Sequence, residues 1–255
     1  MGRLENRVAV VTGAGGGIGS AIASRFVEEG AAVVLTDVSE AAVQAAADAL
    51  CDRGGAAVGL RHDVTDSADW ARVLGLARER FGGIDILVNN AGLAHVASIE
   101  DATFEDWRRI MAVNLDGVFL GTQAAVAEMR GRGGGIINMS SIRAMVSNPS
   151  TVVYDASKAA VAALTRSAAL HCARQGYAIR INSVHPGYIL TDMVQNVFNK
   201  QSDPDAVRDQ VMAAQPIGRM GRPMEIADAV LFLASDESSF MIGSQLVVDG
   251  GYTAQ

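Results

Sequence analysis

The chain has 255 residues, a net charge of −7, 49% hydrophobic and 19% charged residues. This composition builds a large core and excludes a disordered chain. The acidic balance argues against a nucleic-acid or other polyanionic partner, which usually meets a basic face. Cys51 and Cys172 show no metal or redox spacing and are expected as reduced thiols of a cytoplasmic protein. The first residues lead straight into a strand pattern, so no signal peptide is expected. No apolar run is expected to reach the ~18 residues of a membrane span.

Strand-length apolar runs alternate with helical patterns along the chain. Residues 8–12 predict a first strand, followed by a glycine-rich turn and a helix over 19–29. A strand at 32–36, a helix at 41–53, a strand at 57–61 and a helix at 67–81 follow. Next come a strand at 84–89, a long helix at 104–130, a Gly-rich turn and a strand at 136–140. A helix over 153–174, a strand at 179–184, a helix at 225–234 and a last strand at 245–248 complete the pattern. The strands are apolar throughout rather than alternating, as parallel strands buried on both faces require. The fold class is therefore α/β: a single Rossmann-type, doubly wound parallel sheet of about seven strands, with helices on both faces. No linker or repeat divides the chain, so residues 1–255 read as one domain. Residues 188–221 break the rhythm, being polar and weakly helical after a strand. They read either as a lid over a site or as a surface helix pair.

The turn after the first strand is Thr12-Gly13-Ala14-Gly15-Gly16-Gly17-Ile18-Gly19. Glycines there permit a tight turn and let backbone N–H groups approach a pyrophosphate at the helix N-terminus. The spacing Gly13-x-x-x-Gly17-x-Gly19 departs from the common G-x-G-x-x-G, but its place between strand and helix fits a dinucleotide. Asp37, at the end of the second strand, can accept hydrogen bonds from adenosine ribose hydroxyls and repels a 2′-phosphate. No Arg or Lys stands at Ala14, Val38 or Ser39 to hold that phosphate, so the cofactor expected is NAD. Asp37 also reads as a helix N-cap, although Ser39 is the better cap candidate.

Tyr154 and Lys158 stand four residues apart in a helical pattern, on one helix face. A tyrosine has a pKa of ~10, too high for a base at neutral pH. A nearby ammonium and a positive nicotinamide ring are expected to lower it. Taken alone, such a pair is more often a solvated face than a site. Ser141 lies at the end of the fifth strand, where open α/β sheets place ligands, and Asn114 lies within the long helix.

Over essentially its whole length the chain resembles the short-chain dehydrogenase/reductase family. The resemblance is carried by the glycine turn, Asp63-Val64, Asn89-Asn90-Ala91-Gly92, Asn114, Ser141, Tyr154-x-x-x-Lys158, and Pro186-Gly187 followed by Thr191. The family spacing of thirteen residues to the tyrosine selects Ser141 over Ser140. The resemblance implies that Tyr154 exchanges the substrate proton and that Ser141 hydrogen-bonds the reacting oxygen. It implies that Lys158 holds the nicotinamide ribose and lowers the tyrosine pKa, while Asn114 helps hold a water. Asp63 and Val64 then flank the adenine, and Asn90, with Ala91 and Gly92, meets the adenosine-side ribose or nearby backbone. Ile189 and Thr191, after Pro186-Gly187, hold the carboxamide and pyrophosphate.

Within the family, the chain is most similar to bacterial secondary-alcohol dehydrogenases of R-specific and cyclic-alcohol types. The shared stretches are residues 137–142, 184–189 and 248–255. This implies a secondary alcohol and its ketone. Pocket candidates are His95, Arg143, Ser147, Tyr188 and Met193, with Arg143 open as an anion-binding or a surface arginine. Rival functions are a cofactor sensor without turnover, a 3-oxoacyl-carrier-protein-type reductase and a hydroxysteroid dehydrogenase. Intact Ser141, Tyr154 and Lys158 weigh against the sensor; Asp37 and the acidic charge weigh against the carrier-protein reductase. A homotetramer is expected, because helices 104–130 and 153–174 carry apolar residues on more than one stripe. The tail ending in Gln255 resembles one that binds a magnesium ion between subunits; a tail packed without metal is the other reading.

Overall fold

The computed structural model describes residues 2–199 and 203–255. The apolar runs pair into one sheet of β1 (Val8–Thr12), β2 (Ala32–Asp37), β3 (Ala57–Arg61), β4 (Ile86–Asn89), β5 (Gly134–Met139), β6 (Ile179–Pro186) and β7 (Gln245–Val248). The order is β3-β2-β1-β4-β5-β6-β7, with every pairing parallel. The helices among the described residues are α1 (Gly17–Glu28), α2 (Glu40–Cys51), α3 (Ser67–Phe81), α4 (Phe104–Met111), α5 (Gly117–Met129), α6 (Val152–Arg174), α7 (Asp192–Asn199), α8 (Pro204–Ala213) and α9 (Pro223–Ala234).

Successive strand residues feed two separate cores, which is why the runs carry no polar alternation. Ala9 and Val11 pack with Ile22 and Phe26 of α1, Val43 of α2 and Leu231 of α9. Val8 and Val10 pack on the other face with Trp70 and Val73 of α3, Met129 of α5 and Cys172 of α6. From β1 the chain winds outward to β2 and β3, then returns to place β4 on the opposite side of β1. The C-terminal ends of β1 and β4 therefore flank the switch point, where a doubly wound sheet opens its crevice.

Beyond shifts of a residue or two at the ends of β4 and β5, the structure differs from the sequence expectation as follows. The helix expected over 104–130 is interrupted by a π-helical turn at Ala112–Asp116, which carries the fully buried Asn114. Phe104–Met129 is, by length and apolarity, enough to cross a membrane, contrary to the expectation that no segment is. Here α4 and α5 are packed against α6, and α5 lies on β4 and β5. Finally, β6 continues two residues past its expected end, through His185 and Pro186, pairing Pro186 with Val248. Residues 188–221 leave the sheet and return at one point: Gly221 N donates to Tyr188 O and Leu190 N to Gly221 O, both at 2.9 Å. Between those ends lie α7 and α8.

Candidate active site

The glycine turn is braced from β4. Thr12 Oγ accepts from the backbone N–H of Asn90 and of Ala91, each at 3.0 Å. Asn90 Nδ2 donates to the carbonyls of Thr12 and Gly13, at 2.9 and 3.1 Å. The Asn90 amide nitrogen is thus committed to the backbone of the turn, one of the two roles the resemblance left open. Gly13 and Gly17 adopt φ of +64° and +55°, where side chains are strained. A Cβ at Gly19 would collide with the Gly13 carbonyl oxygen, so this glycine is required for helix and turn to approach. Gly16 begins α1 in extended backbone with no side-chain cap, and open space surrounds its α-carbon. The first-turn amides there have the chemistry of an anion site.

Asp37 closes the other end. Its Oδ2 accepts from Gly15 N at 3.1 Å and its Oδ1 from Ser39 N at 3.0 Å. Ser39, not Asp37, caps α2 by accepting from Ala42 N, at 3.4 Å. Asp63 lies next to this corner, one residue after His62, whose N–H donates to Asp37 O. The Thr65 amide and hydroxyl bonds hold the Asp63 carboxyl below its ordinary value. Val64 is buried, and its carbonyl accepts from Trp70 Nε1.

Ser141, Tyr154 and Lys158 converge beside the cleft floor. Ser140 and Ser141 both follow β5, but Ser140 Oγ is spent, donating to Lys158 O at 2.8 Å. The Ser141 hydroxyl accepts from Arg143 N at 3.1 Å and stands next to Tyr154. Its carbonyl meets His185 Nδ1 at 3.0 Å, while His185 Nε2 meets Ser183 Oγ at 2.9 Å. Lys158 Nζ donates to Met139 O at 2.9 Å and lies 5.7 Å from the Tyr154 ring centre. Asn114 Oδ1 accepts from Leu93 N at 2.7 Å, and its Nδ2 donates to Leu93 O and Ser157 Oγ. Gly92 packs between Asn114 and Lys158, where a side chain would press on the Asn114 amide oxygen.

Burial without an acid partner lowers Lys158 to about 8. Burial also pushes the Tyr154 phenol above its ordinary value, opposed by the Ser141 hydroxyl and by the charge of Arg143. In the protein alone, burial outweighs these polar neighbours. The Lys158 ammonium is held toward the cleft floor by the Met139 carbonyl.

One cleft of about 350 Å³ joins these groups. It is lined by Gly13, Gly16, Gly17, Ile18, Asp37, Asn90, Ala91, Gly92, Ser141, Tyr154, Lys158, Pro186, Gly187, Ile189 and Thr191, all anticipated from sequence. Met139, Leu93, Asp192 and Val194 also line it and carried no sequence signal beyond adjacency to the motifs. His185, likewise unassigned from sequence, supports the Ser141 backbone.

The substrate candidates separate. Met193 lines the cleft, whereas Ser147 is solvent-exposed. His95 is not part of the cleft wall: its Nε2 lies 3.2 Å from Asp106 Oδ1, in the capping box that starts α4. Arg143 is buried, not a surface arginine, and its Nη2 donates to Tyr188 Oη at 2.6 Å; the two stand behind Ser141 and not in the lining of the cleft. Gln255 Nε2 donates to Ala214 O at 3.0 Å and Tyr252 O at 3.3 Å. No group of three or more His, Cys, Asp or Glu able to hold a metal ion occurs among the described residues.

Residues 13–253 match the family model described as enoyl-(acyl carrier protein) reductase. A short-chain type dehydrogenase/reductase from Mycobacterium marinum superposes with a TM-score of 0.92 at 38% identity, covering 99% of this chain and 97% of that one. The chain belongs to the short-chain dehydrogenase/reductase family. It is 45% identical to the NADP-dependent (R)-specific alcohol dehydrogenase of Lentilactobacillus kefiri, over 99% of each chain. It is 43% identical to the 3-beta-hydroxysteroid dehydrogenase of Comamonas testosteroni, over 97% of this chain and 96% of that one. The family resemblance carried by the motifs is therefore borne out over the whole chain, and the doubly wound sheet is the fold that resemblance implied.

Proposed function

We propose that the protein is an NAD-dependent dehydrogenase of secondary alcohols, working reversibly on the matching ketones. The observation that carries this reading is one cleft with Ser141, Tyr154 and Lys158 at one end and Asp37 at the other. Both relatives above are named as dehydrogenases of hydroxyl compounds, one (R)-specific for alcohols and one for a 3-beta-hydroxysteroid. The cofactor choice rests on Asp37 of this chain and not on the relatives, one of which is named NADP-dependent.

The residues fit a dinucleotide: a cradle open at Gly16, strained turns only glycine tolerates, and a fixed carboxylate at the adenosine end. Gly13, Gly15–Gly17, Ile18 and Gly19 form the pyrophosphate turn, Asp37 takes the adenosine ribose, and Asp63 and Val64 border the adenine. Gly187, Ile189 and Thr191 border the nicotinamide end. NAD, when bound, supplies the hydride acceptor and a positive ring. In oxidation, Tyr154 Oη as phenolate accepts the hydroxyl proton while the carbinol C–H leaves as hydride and the C=O bond forms. Ser141 Oγ donates to the developing carbonyl oxygen or the alkoxide. Lys158, buried and cationic below about pH 8, offsets the phenolate charge and reaches the nicotinamide ribose. Asn114 holds the Leu93 backbone beside α6 and bonds Ser157, the residue before Lys158, and Gly92 leaves room between Asn114 and Lys158. Residues 188–221 serve as the lid, hinged where Tyr188 meets Gly221, with Thr191, Asp192, Met193 and Val194 over the cleft.

The working form is a cytoplasmic homotetramer. Supporting this, Phe104, Trp107, Phe119 and Leu170 leave apolar surface exposed on α4, α5 and α6, and Phe240 and Ile242 do so before β7. The direct test is NADH formation from a panel of secondary alcohols, with primary alcohols as controls. NADH from secondary alcohols supports the reading, and no turnover of any alcohol or ketone overturns it.

A further inference from the structure

Arg143 is a buried cation without an acid. It sits on the single 3-10 turn Ile142–Ala144 that follows Ser141, and it is 7% exposed. Its guanidinium carbon lies 5.6 Å from the ring centres of both Tyr188 and Tyr252. Those two rings meet edge to face at 5.9 Å. The side-chain partners of the guanidinium are these two tyrosines, and no Asp or Glu pairs with it among the described residues. This holds in a chain with 28 acidic and 21 basic side chains. The residues outside the description are a methionine, a lysine, a glutamine and a serine, none of them acidic.

Arg180 makes the contrast. That guanidinium, also largely withdrawn from water, is consumed by the carbonyls of Leu233, Ser235 and Ser238 at the end of α9. Arg143 has no such carbonyl set. Removing a guanidinium from water without a charged partner costs free energy, of which contact with two tyrosines returns only part. The fork of N–H donors matches a carboxylate and can bind it through two parallel bonds. The guanidinium lies within electrostatic reach of the Tyr154 phenol, and the backbone N of the same residue donates to the Ser141 hydroxyl.

We propose that Arg143 recognises an anionic group on the substrate, so that the preferred ketones and secondary alcohols carry a carboxylate a few carbon atoms from the reacting carbon. This rests on the dehydrogenase reading of Ser141 and Tyr154 and narrows its substrate class. Tyr188 and Tyr252 orient the fork, which links the loop after β5, the start of the lid and the C-terminal turn. Substrate charge then anchors the carbon chain while the carbonyl oxygen meets Ser141 and Tyr154.

The test is a comparison of 3-oxo, 4-oxo and 5-oxo carboxylic acids with their primary amides, reduced by NADH. At one chain length or more, the acid is expected to exceed its amide in kcat/KM by roughly 10–100-fold, mostly through KM. In Arg143→Gln the acid:amide ratio is expected to fall to near one, and in Arg143→Lys to an intermediate value. The same contrast is read on the unaltered protein from inhibition by unreactive carboxylates and carboxamides, with Ki at least about tenfold lower for the carboxylates. A ratio near one at every length, with neutral ketones still reduced, overturns the proposal and leaves the dehydrogenase reading standing. So does a ratio near one joined to dissociation of Arg143→Gln into smaller species, which would make a neighbouring copy's acid the partner. Failure to reduce any ketone, charged or neutral, overturns the dehydrogenase reading and this proposal with it.

Discussion

Asp37→Ala is expected to erase most of the preference for NAD over NADP. The carboxylate is held by Gly15 N and Ser39 N at 3.1 and 3.0 Å, at the cleft end opposite Tyr154. A ribose hydroxyl bonded to a fixed carboxylate contributes about 1.5–3 kcal/mol, roughly 10–100-fold in affinity. A 2′-phosphate of about −1.5 to −2 charge placed some 4 Å away in a half-exposed corner adds about 1.5–2 kcal/mol of repulsion, roughly another 10–30-fold. The unaltered protein should therefore favour NAD by about 10²–10³ in kcat/KM, and Asp37→Ala should bring the ratio within about tenfold of one. Water can replace the carboxylate on the two amides, because the corner is only half-buried. Adding Val38→Arg should invert the preference, since Val38 is exposed and a guanidinium there can pair with the phosphate. The assay is kcat/KM for each cofactor at saturating secondary alcohol. A starting preference for NADP, or an unchanged ratio in Asp37→Ala, refutes the reasoning.

Other outcomes follow from the same site. Oxidation requires the phenolate of Tyr154, whose proton affinity burial raises, so its rate should rise with pH while ketone reduction falls. Lys158→Met removes the cation and should move the alkaline rise upward or abolish turnover; a profile flat from pH 6 to 10 with chemistry rate-limiting contradicts this. Gly19→Ala should cost about 1–3 kcal/mol in thermal or urea unfolding and weaken NADH binding, because its Cβ meets the Gly13 carbonyl; unchanged stability contradicts it. Deleting residues 252–255 should lighten the assembly in light scattering and lower activity, whereas EDTA should change neither, since the Gln255 amide nitrogen already ties the tail to Ala214 and Tyr252 without an ion. Loss of assembly in EDTA, restored by magnesium, would show the tail to be metal-bridged.

The sheet was legible because the central strands feed two cores, leaving continuous apolar runs such as Val8–Thr12 at strand length between turn residues. The cleft residues were legible because turn geometry demands glycine at 13, 17 and 19 and because Tyr154 and Lys158 share a helix face. What stayed hidden depends on contacts distant in sequence. The π-helical turn around Asn114 leaves the apolar periodicity undisturbed, so nothing in the pattern marks it. Asn90 could serve a ribose or the nearby backbone by residue type, and its bonds to the Thr12 and Gly13 carbonyls of the neighbouring strand and turn are what select the backbone for its amide nitrogen. His95 sits close in sequence to the motif at 89–92, but Asp106 of α4 holds it away from the cleft. Whether Arg143 is buried or exposed was set by Tyr188 and Tyr252, which come 45 and 109 residues later in the chain.

The central assignment is Tyr154 as the proton carrier, and Tyr154→Phe isolates it because the phenyl ring keeps the packing. Hydride transfer should be followed in a single turnover from the NADH absorbance, alongside the Kd of NADH from fluorescence titration. The expected result is a Kd within about threefold of the unaltered protein and a transfer rate lower by on the order of 10²–10⁴. A transfer rate within about tenfold of the unaltered protein, at unchanged NADH affinity, would contradict the assignment.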